Sequence, residues 1–186
     1  MSQTTTPTST GSAPVEAVKT QDSVVMSTAA RRVLAISRIV IGWLFLWPFL
    51  DKTFGLGYAT PAEGAWIRGG SPTAGFLSHA EGPFAGIFQA MVPAAPVLDW
   101  IFMIGLLGIG LASILGIGMR LAAISGTVLM FLMYLAAFPT AGATNPIIDS
   151  HWIEALVLIV GAVTLAGDTW GLGRWWSTKV GNSILR

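Results

Sequence analysis

Four stretches of this chain, Val33 to Leu50, Val97 to Ile117, Leu121 to Phe138 and His151 to Gly167, hold almost no charge, and each approaches the ~20 apolar residues that cross a bilayer. That pattern predicts four membrane-spanning helices. Composition agrees: only 10% of the 186 residues are charged, against about a quarter in a soluble domain. An ordinary water-soluble enzyme is therefore excluded. Ten basic residues against nine acidic ones leave a net charge of +1, too little to hold a polyphosphate backbone, which excludes nucleic acid as a partner. The absence of cysteine removes disulfides, thiolate-bound zinc, iron–sulfur clusters and covalent c-type haem.

The predicted fold is an all-α membrane protein, a four-helix transmembrane bundle with a short helical extracytoplasmic insert between the first two spans. Residues 1–30 are Ser/Thr/Pro-rich without apolar periodicity and read as a disordered tail. The membrane domain covers 31–176, with spans near 33–50, 97–117, 121–138 and 151–167 and the insert at 51–96; residues 177–186 form a second tail. The first run is longer than a signal-peptide core and lacks a small-x-small cleavage site, so it stays as a span. Lys19, Arg31, Arg32, Arg120, Arg174, Lys179 and Arg186 fall on one side of the spans, with only Lys52 and Arg68 on the other. The excess of positive charge places both termini in the cytoplasm and the chain in the cytoplasmic membrane. Small residues at Gly105, Gly108, Gly110, Ala112, Gly116, Ala122, Ala123 and Gly126 are expected to let backbones approach closely, as helices in lipid do. Within the insert, Ser71-Pro72 opens one short helix. Pro83 opens another, whose Phe84, Ile87, Phe88 and Met91 share one face, so this piece should lie on the mouth of the bundle.

Ionisable residues within a span each need a partner or a task. Arg38 in the first span and Asp168 at the end of the fourth are expected to pair across the bundle. On the outer side, His151 and Glu154 share a helix face at i, i+3 where the fourth span begins, and Asp99 starts the second span at a similar level. A histidine titrates near neutrality and a carboxylate at a low-dielectric boundary exchanges protons readily. These three are thus candidate catalytic groups for passing protons to or from a bound redox molecule; capping of helix starts by Asp149 or Ser150 and by Asp99 is the structural alternative. Lys52, Arg68 and the Gly69-Gly70-Ser71 turn before a helix start form a candidate site for a small anionic substrate, with Lys52, Arg68, Gly70 and Ser71 as its contacts. No metal site is expected. Neither histidine sits at the mid-membrane depth that haem b needs, and no phosphate-binding glycine loop is present.

Arg38-x-x-x-Gly42-x-x-Phe45-x-x-x-Phe49-x-x-Lys52, the hairpin sequence Gly116-Ile117-Gly118-Met119-Arg120-Leu121-Ala122-Ala123 and Glu154 together resemble the DoxX/DoxD family of four-helix membrane proteins, over about residues 31–176. The stretch Gly69 to Leu77 is similar to the branch related to the DoxD subunit of thiosulfate:quinone oxidoreductase. The chain departs from that pattern at Phe49, where glycine is common, and at Gly171-Leu172-Gly173, where an acidic residue is common. The resemblance implies oxidation of thiosulfate or a related small sulfur compound outside the membrane, quinone as electron acceptor, and a second oxidoreductase subunit or larger membrane complex as partner. A non-catalytic scaffold or accessory subunit of a respiratory or redox complex is the alternative from another class.

Overall fold

In the computed structural model, residues 17–139, 145 and 147–186 are described, and their regular structure is all helical. The helices are α1 (Gln21–Val24), α2 (Thr28–Phe54), α3 (Ala74–Ser78), α4 (Ala85–Ala90), α5 (Ala95–Leu115), α6 (Met119–Ala137), α7 (Ser150–Val163) and α8 (Gly173–Val180). Their ends follow local chemistry. The Ser27 hydroxyl accepts from the N–H of Ala30 to start α2, Gly55 ends it in the left-handed region, and Asp149 caps α7 by accepting from the N–H of His151 at 3.0 Å. Gly116 and Gly118, both with positive φ, make the tight hairpin between α5 and α6 that the short connection predicts.

Helices α2, α5, α6 and α7 surround one core, in which Ile41 and Phe45 meet Met103, Leu106 and Ile109, closed by Met119, Met130 and Leu158 from the other two helices. The opposite faces of the same helices are apolar and exposed: Val33, Ile36, Val40 and Trp43 on α2, Ile101 and Ile104 on α5, Ile124, Val128 and Phe131 on α6, Ile153, Leu156 and Val163 on α7. An apolar belt this extensive fits lipid, not water. Three helices are long and apolar enough to cross a membrane: α2, α5 together with the turn before it, and α6. The fourth apolar helix, α7, has 14 residues, roughly 21 Å of rise against a hydrocarbon core of ~30 Å. The apolar run continues to Gly167, but the helix stops at Val163. Leu165 takes a positive φ and a 3-10 turn follows over Ala166–Asp168.

Just beyond α7 lies a buried polar cluster, and it corrects two expectations. Composition predicts a tail through residue 30; residues 1–16 lie outside the described residues, but α1 is helical and Gln21 is completely buried. Its N–H donates to Asp168 at 2.9 Å and its side-chain oxygen accepts from the Thr169 hydroxyl at 2.5 Å. The Arg186 guanidinium reaches both Asp168 oxygens, at 3.1 and 3.3 Å, and the Arg186 carbonyl accepts from the N–H of Arg120 at 2.9 Å. The stretch after 176 is therefore α8 followed by a segment held to the bundle. A polar, aperiodic sequence conceals this because the contacts of Gln21 reach residues about 150 positions away.

The expected pairing of Arg38 with Asp168 is likewise corrected: the partner of Asp168 is Arg186. Arg38, 1% exposed, instead donates to the carbonyls of Ser113 and Ile114 at the end of α5 and, at 3.0 and 3.4 Å, to those of Trp170 and Thr169. A helix C-terminus presents unpaired carbonyls and partial negative charge, which a guanidinium satisfies as well as a carboxylate would.

Candidate functional site

At the end of the bundle that carries the α2–α5 connection, a cavity of about 580 Å³ opens between α5 and α6 beneath the short helices α3 and α4. From α5 it takes Leu98, Ile101, Phe102, Gly105 and Ile109, and from α6 it takes residues between Ser125 and Leu135. The α5 lining thus runs for roughly 16 Å along the helix axis, about half the thickness of a hydrocarbon core. The Phe84, Ile87, Phe88 and Met91 stripe legible in the sequence forms its roof, together with Phe76 and Leu77 of α3. Gly105 leaves the wall recessed: a Cβ there would meet nothing within 4 Å. Among the lining residues Lys52 alone carries a charge, and it makes no ion pair or hydrogen bond with the described residues. The two hydroxyls on the wall are committed, Thr73 to Asp99 and Ser125 to the carbonyl of Leu121.

The predicted site residues separate into three groups. Lys52 lines the cavity. Asp99, Gly70 and Ser71 belong instead to the framework that holds the connection in place. The Asp99 Oδ1 accepts from the Ser71 hydroxyl at 3.0 Å, the Thr73 N–H at 2.8 Å and the Thr73 hydroxyl at 2.6 Å. Gly69 sits at φ 91°, and the N–H of Gly70 donates to Ala65 at 3.1 Å; a Cβ on Gly70 would lie 2.0 Å from the Gly64 carbonyl oxygen. The turn before α3 wraps the protein's own Asp99 carboxylate through Ser71 and Thr73. The Ser71 hydroxyl and both Thr73 donors are thereby committed to Asp99, the residue expected as a catalytic group. Arg68 is exposed next to this turn.

His151 and Glu154 form the third group, on α7 and away from the cavity lining. The His151 ring bonds the Asp149 carboxylate at 2.7 Å, and Glu154, half-buried, faces Ser150 and His151. Among the described residues no cluster of three His, Asp or Glu side chains is arranged to hold a metal ion. Asp51, 1% exposed, escaped the sequence reading as a structural residue. It accepts from the N–H groups of Tyr58 and Ala59 at 3.2 and 3.0 Å and folds the chain leaving α2 back on itself. The signal for such carboxylates is weak, since an Asp near a helix end reads equally as cap, ligand or catalyst.

Charge-assisted hydrogen bonds of this kind contribute about 1.5–3 kcal/mol each. Asp99→Ala should therefore release the 71–91 segment, read as faster limited proteolysis there. Asp99→Asn keeps the Oδ1 acceptor and should fall between that variant and wild type. Equal cleavage of all three proteins would show that Asp99 does not anchor the connection. Comparison with protein-family models, curated proteins and solved structures gives no match for this chain.

Proposed function

We propose that this chain is a four-span subunit of a quinone-linked oxidoreductase of the cytoplasmic membrane, with both termini in the cytoplasm and the quinone held between α5 and α6. The observation that carries this reading is the 580 Å³ cavity, apolar except for Lys52 and the two committed hydroxyls of Thr73 and Ser125, and reaching toward the middle of the bundle. Pockets that take cofactors combine apolar and aromatic walls with a few placed polar groups. Here Phe76, Phe84, Phe88 and Phe102 supply flat apolar surface, the α5–α6 groove suits an isoprenoid tail, and the Lys52 ammonium can donate to a ring carbonyl. A quinone, when bound, supplies a two-electron, two-proton acceptor. The chain's own part is to bind and orient it and, with α3 and α4 as a roof, to keep water out.

The resemblance to the DoxX/DoxD family supports the same class of reaction, with electrons arriving from a second subunit or directly from a small sulfur anion such as thiosulfate. Commitment of the Ser71 and Thr73 donors to Asp99 favours the second subunit. His151 and Glu154 stand off the cavity and in this reading exchange protons at the outer rim. The fourth span is α7 extended by the 164–168 turn, its shortness met by local thinning of the bilayer. The scaffold reading has one observation in its favour: Asp51, Asp99 and His151 are all engaged in holding loops and helix ends.

Lys52→Met should weaken binding of decylubiquinone, followed by quenching of tryptophan fluorescence in detergent, by about ten-fold or more, the value of a charge-assisted hydrogen bond in an apolar site. Unchanged affinity would remove Lys52 from the site, and absence of binding by wild type would leave the scaffold reading in its place. Orientation is testable separately in this cysteine-free chain. Cysteines replacing the exposed Ser78 and Thr178 should label with an impermeant maleimide from outside intact cells at position 78 and not at 178. The reverse pattern would invert the topology.

A further inference from the structure

The cavity beneath α3 and α4 reaches the flank of the bundle at mid-depth. Gly105 is the central residue of α5 and Val128 the central residue of α6, and both line the recess. Both helices are long and apolar enough to cross a membrane, so that level is the bilayer midplane, where only hydrocarbon lies. The residues bordering the recess there are exposed: Ile101 on α5, Ser125, Val128 and Leu132 on α6, and Ile87 of α4 above them. Ser125 turns its hydroxyl back onto the Leu121 carbonyl at 2.8 Å, so the gap presents apolar surface. The end of the bundle above the recess is held shut. On one side the roof is tied to α5 by the bonds of Ser71 and Thr73 to Asp99. On the other it packs on the end of α6: Leu77, Ala80 and Phe88 bury against Ala136, and a Cβ on Gly82 would lie 2.1 Å from the Phe138 carbonyl oxygen. Between these ties the Gln89 Nε2 donates to the Ala80 carbonyl at 3.1 Å and holds α4 to the turn after α3. Entry through the roof breaks these contacts, whereas entry from the flank breaks none of them.

Size decides what can use such a flank opening. About 580 Å³ suits a ligand of drug size: a quinone ring with its first isoprene units fits, and the whole tail of a long-chain membrane quinone does not. We propose that the site takes long-chain isoprenoid quinones directly from the bilayer, the ring toward Lys52, the tail descending along α5 and leaving the bundle sideways between Ile101 and Val128, its remainder in lipid. This assignment rests on the quinone reading of the cavity and adds to it the substrate's tail and its route. A short, water-soluble quinone would not explain an opening at the midplane, and a ligand arriving from water would not explain a roof fastened to both helices.

The test compares binding of ubiquinone-2 and ubiquinone-10, which share one ring and differ in tail length, to the full chain in lipid nanodiscs. Binding is read from quenching of tryptophan fluorescence and expressed per mole fraction of quinone in the lipid. Gly105→Leu, which fills the recess, gives the quenching by quinone that stays in lipid. Wild type should bind the two quinones within about three-fold of each other. Ile101→Trp and Val128→Trp fill the gap from either helix. Each should weaken ubiquinone-10 by about ten-fold or more while changing ubiquinone-2 by less than about three-fold. Ile104→Trp, at an exposed position of α5 outside the cavity lining, should change neither. Should one of the gap variants fail to fold, the other, together with the ratio in wild type, decides the question. A preference of wild type for ubiquinone-2 by about ten-fold or more, equal loss of both quinones in the gap variants, or unchanged ubiquinone-10 binding in them would overturn the sideways route and leave a quinone in the cavity. Saturable binding of neither quinone by wild type would remove the quinone reading itself, and the route with it.

Discussion

Arg38→Met should destabilise the bundle by on the order of 3–5 kcal/mol, the loss expected when one partner leaves a buried charged network. The side chain is nearly inaccessible and satisfies carbonyls from two separate segments, Ser113 and Ile114 on α5 and Thr169 and Trp170 beyond α7. Methionine fills similar volume but donates nothing, so carbonyls buried against α2 would lose both their partner and access to water. Arg38→Lys should fall in between, since one ammonium cannot reproduce a planar fork that spans both segments. Arg32→Ala, at an exposed position, should stay within ~0.5 kcal/mol of wild type. Denaturation in detergent micelles, followed by circular dichroism, distinguishes these outcomes; a loss in Arg38→Met no greater than in Arg32→Ala would show that the guanidinium does not fasten the two segments. In a cycle of single and double replacements, Asp168 should couple to Arg186.

Gly42→Val should be comparably disruptive, by about 3 kcal/mol or more, because the contact it breaks is between backbones. A Cβ at residue 42 would lie 2.9 Å from the Ile114 nitrogen and 3.0 Å from the Gly110 carbonyl oxygen, and neither can move without separating α2 from α5. Gly108→Ala is the control. It adds a Cβ to open space and should be neutral or stabilise by up to ~1 kcal/mol through helix propensity alone. If the two substitutions behave alike in thermal unfolding, close approach of α2 and α5 is not what holds them together.

This contrast marks what the sequence can show. Glycine richness along the second and third apolar runs is plain, and the structure does place Gly110, Gly116 and Gly126 at close contacts; but Gly105 and Gly108 face open space, and Gly42 makes a close backbone crossing with α5 from a run with little glycine. Composition states that small residues exist, whereas their facing depends on helix rotation, which packing decides. The helical class and the apolar face of residues 84–91 were legible because periodicity is local. The carboxylates were not. Asp99 has the same sequence context whether it caps, binds or catalyses, and only the return of Ser71 and Thr73 to its Oδ1 separates these roles. The break after Val163 was hidden for a related reason, since the turn that follows it is held by a cluster joining Gln21, Asp168 and Arg186, with Gln21 far away in the chain.

Gly105→Leu tests the proposed quinone site between α5 and α6 most directly. The added side chain meets no atom within 4 Å at its Cβ and lies on the cavity wall, so it fills the binding space while leaving the fold intact. Titration of wild type and Gly105→Leu with decylubiquinone, alongside their thermal unfolding, reads both effects at once. Wild type should bind saturably and the variant at least ten-fold more weakly, with an unfolding temperature equal to or above that of wild type. Equal affinity in the two proteins, with the variant stably folded, would contradict it.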